Sequence, residues 1–392
     1  MKHVKKFFYA ILKILKWGFI LLISLLILSA IYNQFLPEQS ETIETLSDAQ
    51  KGYIAEAMNL QSELGDEIWP VWPHPVPVIV YNERYAFLVG IQNPESGWKK
   101  MPAEELRGGE WKTVTNDDFF GETYYRQELP DPEITPENFT VKVGGEWAAT
   151  LQTREYAEVA FYNGFKEELP PFISQIFPYT IFWNLVMGES ENYVTGLIHE
   201  SFHAVQGIRV PERLASAERI SHQEFDYPWF HPDNENGWKQ EADLLIQAYQ
   251  AESDAERKDL VRTFLNTRDE RREAAGLSPE QIIYEKEREW LEGVAKYVEL
   301  KIGLTAAEKK NYSSYPEIRK DSDFDGYQSF QSYFEGQLGE VPRAAARDGE
   351  SRFYYVGMIE AFLLDQMQPG WKEQIFTEGV YLEDLLRGVT DG

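Results

Sequence analysis

Residues 197–207 read LIHESFHAVQG and contain His199-Glu200-x-x-His203. On a helix, positions i and i+4 share a face about one turn apart, so both imidazoles can reach one metal ion. Glu200 projects about 100° round from His199, too far to bind the same ion head-on but well placed to hold a water beside it. Zinc, a Lewis acid, acidifies such a water towards a pKa of ~7, and a neighbouring carboxylate can take its proton. The chain has only six histidines, so chance supplies this pattern only about 0.01–0.02 times. The competing reading is a core helix whose histidines merely satisfy hydrogen bonds.

A catalytic zinc has three protein ligands and an open position. Cysteine is absent, which excludes thiolate ligands, cysteine nucleophiles and disulfides and leaves the third ligand to His or a carboxylate. His222 and His231 lie in the loop-like stretch SHQEFDYPWFHPDNENG. Glu292 lies in EREWLEGVAKYVELK (287–301), opposite an apolar sector of Trp290, Leu291, Val294, Tyr297 and Val298. Glu285, Glu289 and Glu299 flank it, which also fits a solvated acidic face. Gly293 favours Glu292: a mid-helix glycine costs roughly 1 kcal/mol relative to alanine, so it implies close approach by another element. That suits a helix pressed against the His-bearing one.

The elements that must position these residues follow from periodicity. Val194, Ile198, Phe202 and Val205 make an apolar stripe at helical spacing, and Gly207 is expected to stop that helix. Further helical patterns cover 49–64 (capped by Ser47 or Asp48 and ended by Gly65), 238–252, 254–274, 279–302 and 352–367. Gly276 and Ser278-Pro279 separate the two that meet there. Prolines at 70, 73, 75 and 77 impose an extended segment. Strands are expected at 76–81 and 85–91 as a hairpin, at 122–129, and at 139–143 and 146–152 across Gly144-Gly145. Strands followed by helices imply an α+β fold: an N-terminal transmembrane helix, an antiparallel sheet region (47–165 with its leading helix) and a mainly helical catalytic region (166–392).

Residues 17–35 (WGFILLISLLILSAIYNQF) are uncharged and span ~28 Å as a helix, about one bilayer core. Five lysines precede or flank this run in residues 1–16, and acids follow it. The positive-inside rule then puts 1–16 in the cytoplasm, makes 17–35 a single-pass anchor and 36–46 a tether, and exports the rest. A cleaved signal peptide is the alternative, with Leu28-Ser29-Ala30 as a loose processing site. The net charge is −27; without the five N-terminal lysines the remainder carries −32. So acidic a body repels phosphate backbones, and nucleic acid is not an expected partner.

The pairing of HESFH with a later W-L-E-G-x-A-x-Y-x-E resembles the gluzincin metallopeptidases, particularly the membrane-alanyl-aminopeptidase type. The resemblance covers 193–207, 288–301 and 352–365. It implies Glu292 as third zinc ligand, with Trp290, Leu291, Gly293, Ala295, Tyr297 and Glu299 matching around it, and Glu200 as general base. It also implies Tyr354, in Tyr354-Tyr355-Val356-Gly357, as an oxyanion donor, although Val356 replaces a Lys and Tyr355 is a rival. His203 and Glu292 stand 89 positions apart (292 less 203), so helices around 238–274 would be an insertion. The family's Gly-x-Met-Glu-Asn strand is missing. What the resemblance implies is a zinc-dependent peptidase acting on a peptide or protein; a binding protein without turnover, or a zinc hydrolase of a non-peptide bond, are the alternatives. Asp321, Asp323, Asp325 and Gly326 have the start of a calcium loop, but its closing position is Ser332, so an acidic turn is expected.

Overall fold

The computed structural model of the protein describes residues 2–72, 75–131 and 134–391. Residues 73 and 74 of the proline-rich segment lie outside the described residues. The chain opens with the apolar helix α1 (Lys2–Tyr32) and continues into α2 (Asp48–Ile68). Ser47 caps α2, its side chain accepting from the Gln50 amide. Gly65 does not end that helix; a Cβ there would sit 2.9 Å from the Trp72 ring, so the glycine makes room for an indole. Residues between α1 and α2 are held to the sheet: Ser40 donates from its amide and hydroxyl to Glu83, and Asn82 donates to the Ile43 carbonyl.

Eight strands follow: β1 (Val78–Tyr81), β2 (Tyr85–Val89), β3 (Trp98–Lys100), β4 (Leu106–Arg107), β5 (Lys112–Thr113), β6 (Tyr125–Glu128), β7 (Phe139–Val143) and β8 (Glu146–Gln152). They form one sheet in the order β4-β3-β7-β8-β1-β2-β6-β5. The two expected hairpins are present, β1 with β2 and β7 with β8. The sheet is mixed, because β8 also pairs parallel to β1, with Val78 opposite Ala149. Along β1 and β2, Val78, Val80, Phe87 and Val89 enter the main core while Ile79, Tyr81, Ala86 and Leu88 enter a second core on the other face. Burial on both faces explains why these strands are continuous apolar runs.

The remaining chain is helical: α3 (Arg154–Glu168), α4 (Pro171–Ile176), α5 (Tyr179–Met187), α6 (Ser190–Arg209), α7 (Pro211–Ile220), α8 (Pro232–Gln250), α9 (Asp254–Ala274), α10 (Pro279–Arg288), α11 (Val294–Glu308), α12 (Phe330–Ala345), α13 (Ser351–Met367), α14 (Trp371–Gln374) and α15 (Leu382–Asp391). The architecture is α+β, as the order of patterns requires. Helix α6 lies across β7 and β8 and against α2 and α11. Gly207 does not stop it. A Cβ at Gly207 would fall 2.8 Å from the Trp147 ring of β8, so this glycine lets the helix settle on the sheet.

Candidate metal centre

The HExxH segment lies in the middle of α6, whose 20 residues run from Ser190 to Arg209. Its two imidazoles point to one side, and Glu292 meets them there. The three residues are buried, and their ligand atoms lie within 4.8 Å of one another. Glu292 Oε2 is 3.3 Å from His199 Nε2 and 3.3 Å from His203 Nε2. At ordinary Zn–N and Zn–O lengths, the edge of a tetrahedral ligand set is also about 3.3 Å.

Glu292 is carried by an interruption. Between α10 and α11 the five residues Glu289–Gly293 form one turn of π-helix. The sequence reads as a single α-helix over 279–302, and only the hydrogen-bond pattern separates the three pieces. Gly293 permits a close approach, as expected, but its neighbour is α13 rather than the His-bearing α6. A Cβ on Gly293 would lie 2.5 Å from the Cα of Gly357.

Partners behind the imidazoles fix their tautomers. Gln206 Nε2 donates to the backbone carbonyls of Trp290 and Leu291 at 3.0 and 3.1 Å. Its Oε1 therefore faces His203 Nδ1, at 2.8 Å, as an acceptor. His203 then carries its hydrogen on Nδ1 and presents a lone pair at Nε2. His199 Nδ1 is 3.1 Å from Glu299 Oε2. Burial would raise the Glu299 carboxyl, but Lys296 and His199 hold it below its usual range, so it too accepts. The result is two imidazole lone pairs and a carboxylate oxygen converging on one buried point. Three acceptors in contact need a cation between them, and this donor set fits a metal.

The charges around the centre agree. Burial opposes a charge on His199, yet hydrogen bonds to Glu292 and Glu299 outweigh it and lift the imidazole to about 10. A proton there is the smallest cation that satisfies the cluster. Burial alone would raise Glu292, but His203, Arg288 and His199 hold it well below the carboxylate range. Arg288 binds the other oxygen, Glu292 Oε1, at 3.0 Å and also pairs with Glu218 and Glu350. Oε2 is the oxygen that faces both imidazoles.

Comparison with family models, curated proteins and solved structures finds no match.

A cavity of about 390 Å³ opens over the triad, lined among others by Phe139, Glu200, Lys296, Tyr354 and Tyr355. Glu200 sits half-buried in its wall, where burial, with Glu292 and Glu299, pushes the carboxyl up to about 8 against the pull of His199. The Phe139 ring, at the start of β7, packs on His203 with centroids 4.6 Å apart. Tyr354, in the first turn of α13, stacks nearly parallel to His199 at 5.9 Å. Tyr355 also reaches the cavity, but its hydroxyl donates to Gln337. His222 and His231 are elsewhere: His222 contacts the Arg219 carbonyl and Gln223, and His231 faces Asp233.

Glu285, Glu289 and Glu299 are not a solvated face; all are buried. Glu299 orients His199, Glu289 pairs with Arg268, and Glu285 pairs with Arg271 and Arg272. The three arginines come from α9. Helix α9, within the length that separates His203 from Glu292, thus braces the turn bearing Glu292 through Glu289, and α10 through Glu285. Asp321 and Asp323 are taken by Arg154, at 3.7 and 3.2 Å, and so form an acidic turn stapled to the start of α3. The roles of Gln206 and Arg288 are not legible in the sequence, and Gly357 stands out there only as the end of the Tyr354 motif. Gln206 had one visible signal, its position one helical turn after His203.

Proposed function

We propose that this chain is a membrane-anchored, extracytoplasmic zinc metallopeptidase, with His199, His203 and Glu292 holding the ion. The observation that carries this is the convergence of two oriented Nε2 lone pairs and Glu292 Oε2 at 3.3 Å beneath an open cavity. Zinc bound there would supply a Lewis acid for a peptide carbonyl and lower the pKa of a water. Glu200 takes the proton from the attacking water as its oxygen bonds to the carbonyl carbon, then delivers it to the amine nitrogen as the C–N bond breaks. Tyr354, beside His199 at the cavity wall, donates its hydroxyl to the oxygen that gains charge. Gln206 and Glu299 keep the imidazoles in the ligating tautomer.

The anchor reading rests on Leu15–Phe35, from within α1 to just past its end, which is long and apolar enough to cross a bilayer and is unburied by the rest of the chain. The lysines ahead of it support, by the positive-inside rule, a cytoplasmic 1–16 and an exported catalytic region. The test is Glu200→Gln with zinc analysis and a broad peptide library. Retained zinc with abolished cleavage supports the reading. Wild-type protein that binds zinc yet cleaves no peptide would instead favour a binding protein on the same scaffold.

A further inference from the structure

Residues 169–188 read LPPFISQIFPYTIFWNLVMG, twenty positions without one charged side chain. They form α4 and α5, of six and nine residues. At 1.5 Å per residue these helices reach only about 9 and 14 Å, far short of a ~30 Å hydrocarbon core, so they cannot span it. Tyr179 and Trp183 turn inward to a small aromatic cluster with Tyr162. Phe172, Ile173, Ile181, Leu185 and Val186 turn outward; Phe172 is 75% and Leu185 78% exposed. Large apolar side chains concentrated this way mark a docking surface.

The end of α1 names the occupant. Ser29 donates to the Phe177 carbonyl, and Asn33 donates to the carbonyls of Gln175 and Phe177, all at 2.9–3.0 Å. Leu36, just beyond α1, packs on the same aromatic cluster. The exposed patch is therefore fastened to the emerging end of the apolar helix, where the bilayer surface would lie. Glu167, Glu168 and Glu189 bound the uncharged stretch at either end. We infer that α4 and α5 lie in the outer-leaflet interface beside α1, as a second, non-spanning membrane contact. This rests on the anchor reading of α1 and is independent of the peptidase reading. Helix α6 begins at Ser190, two residues after the stretch ends, and His199 is nine residues further. His199 therefore stands about 14 Å along the axis of α6 from Ser190.

Absence of cysteine makes the test direct. Phe172→Cys, Leu185→Cys, Leu25→Cys and Glu270→Cys, each in the full chain, carry one nitroxide in phosphatidylcholine vesicles. Collision with oxygen is compared with collision with a water-soluble nickel chelate. Labels at 172 and 185 are expected to favour oxygen severalfold over the label at 270, as the anchor label at 25 does. Labels at 172 and 185 that match 270 while 25 stays lipid-exposed would overturn the inference. So would shielding from both reagents with spin–spin broadening, the signature of a second copy on the patch. A label at 25 in water, with 172 and 185 in lipid, would sink the anchor reading and with it the inference of a second contact beside α1.

Discussion

Gly293 and Gly357 meet backbone to backbone: a Cβ on the first would lie 2.5 Å from the Cα of the second, and a Cβ on Gly357 would lie 2.5 Å from the Glu289 carbonyl oxygen. At this point the nearest atoms on both sides are backbone, so a Cβ there cannot be accommodated by rotating a rotamer. This contact sets where Glu292, one residue before Gly293, and Tyr354, one turn before Gly357, stand relative to each other.

Gly293→Ala tests it through the sign of its effect. An unobstructed mid-helix site would gain roughly 0.5–1 kcal/mol from alanine. Here the helices must separate, and a loss of about 1–3 kcal/mol is expected from overpacking. Urea unfolding measures the change, and metal content should fall with it as Glu292 is displaced. A stabilised variant would contradict the close approach.

Gln206 is bonded on both sides, to His203 Nδ1 and to two carbonyls of the turn that carries Glu292. Replacing it with alanine frees the His203 ring and removes the strap to that turn. Metal affinity is expected to fall by about 10–100-fold, the usual cost of losing such a partner. Competition with a chromogenic chelator reads this directly; affinity within twofold of the parent would remove Gln206 from the centre.

Arg268 is fully buried and touches Glu241, Glu289, Glu360 and Glu383 at 2.9–3.1 Å. Arg268→Met leaves Glu289 and Glu360 without this cation, while Glu241 keeps Arg271 and Glu383 keeps Arg272 and Lys286. The expected loss is about 3–5 kcal/mol, as for other buried pairs broken from one side. Chemical denaturation measures it. A loss under about 1 kcal/mol would mean that water reaches the cluster.

Glu191 supplies a pH-dependent element away from the candidate metal centre. Its Oε1 accepts amides of Asp325, Gly326 and Tyr327, while its Oε2 is buried without a partner. Burial is the main cause lifting its carboxyl to about 7, helped by Asp325 and opposed by those amides. The folded chain therefore holds this proton between the ordinary value of 4.5 and about 7, whereas the unfolded chain releases it. Its contribution to stability is complete below 4.5 and is lost as pH rises through 7. Glu191→Gln should flatten the stability curve across that window; an unchanged slope would assign the titration elsewhere.

Much of the centre was legible in residue spacing. A 3.6-residue repeat obliges His199 and His203 to share a face wherever that helix goes, and the Trp-Leu-Glu-Gly context singled out Glu292 within its acidic helix. The α+β order, both central hairpins, the Ser47 cap and the α9 helix over 254–274 were equally local, since each depends on side chains within a few positions. Other features are not local quantities. Whether Glu285, Glu289 and Glu299 meet water or partners depends on which helices cover them, and here Arg268, Arg271, Arg272 and His199 do. Gly207 and Gly65 read as helix ends because sequence alone cannot show the indoles of Trp147 and Trp72 pressed against them. The parallel pairing of β8 with β1, the π-turn and the Gly293–Gly357 contact likewise arise only when segments far apart in the chain pack together. Local periodicity sets which face a side chain occupies, but what lies opposite that face is decided by tertiary packing.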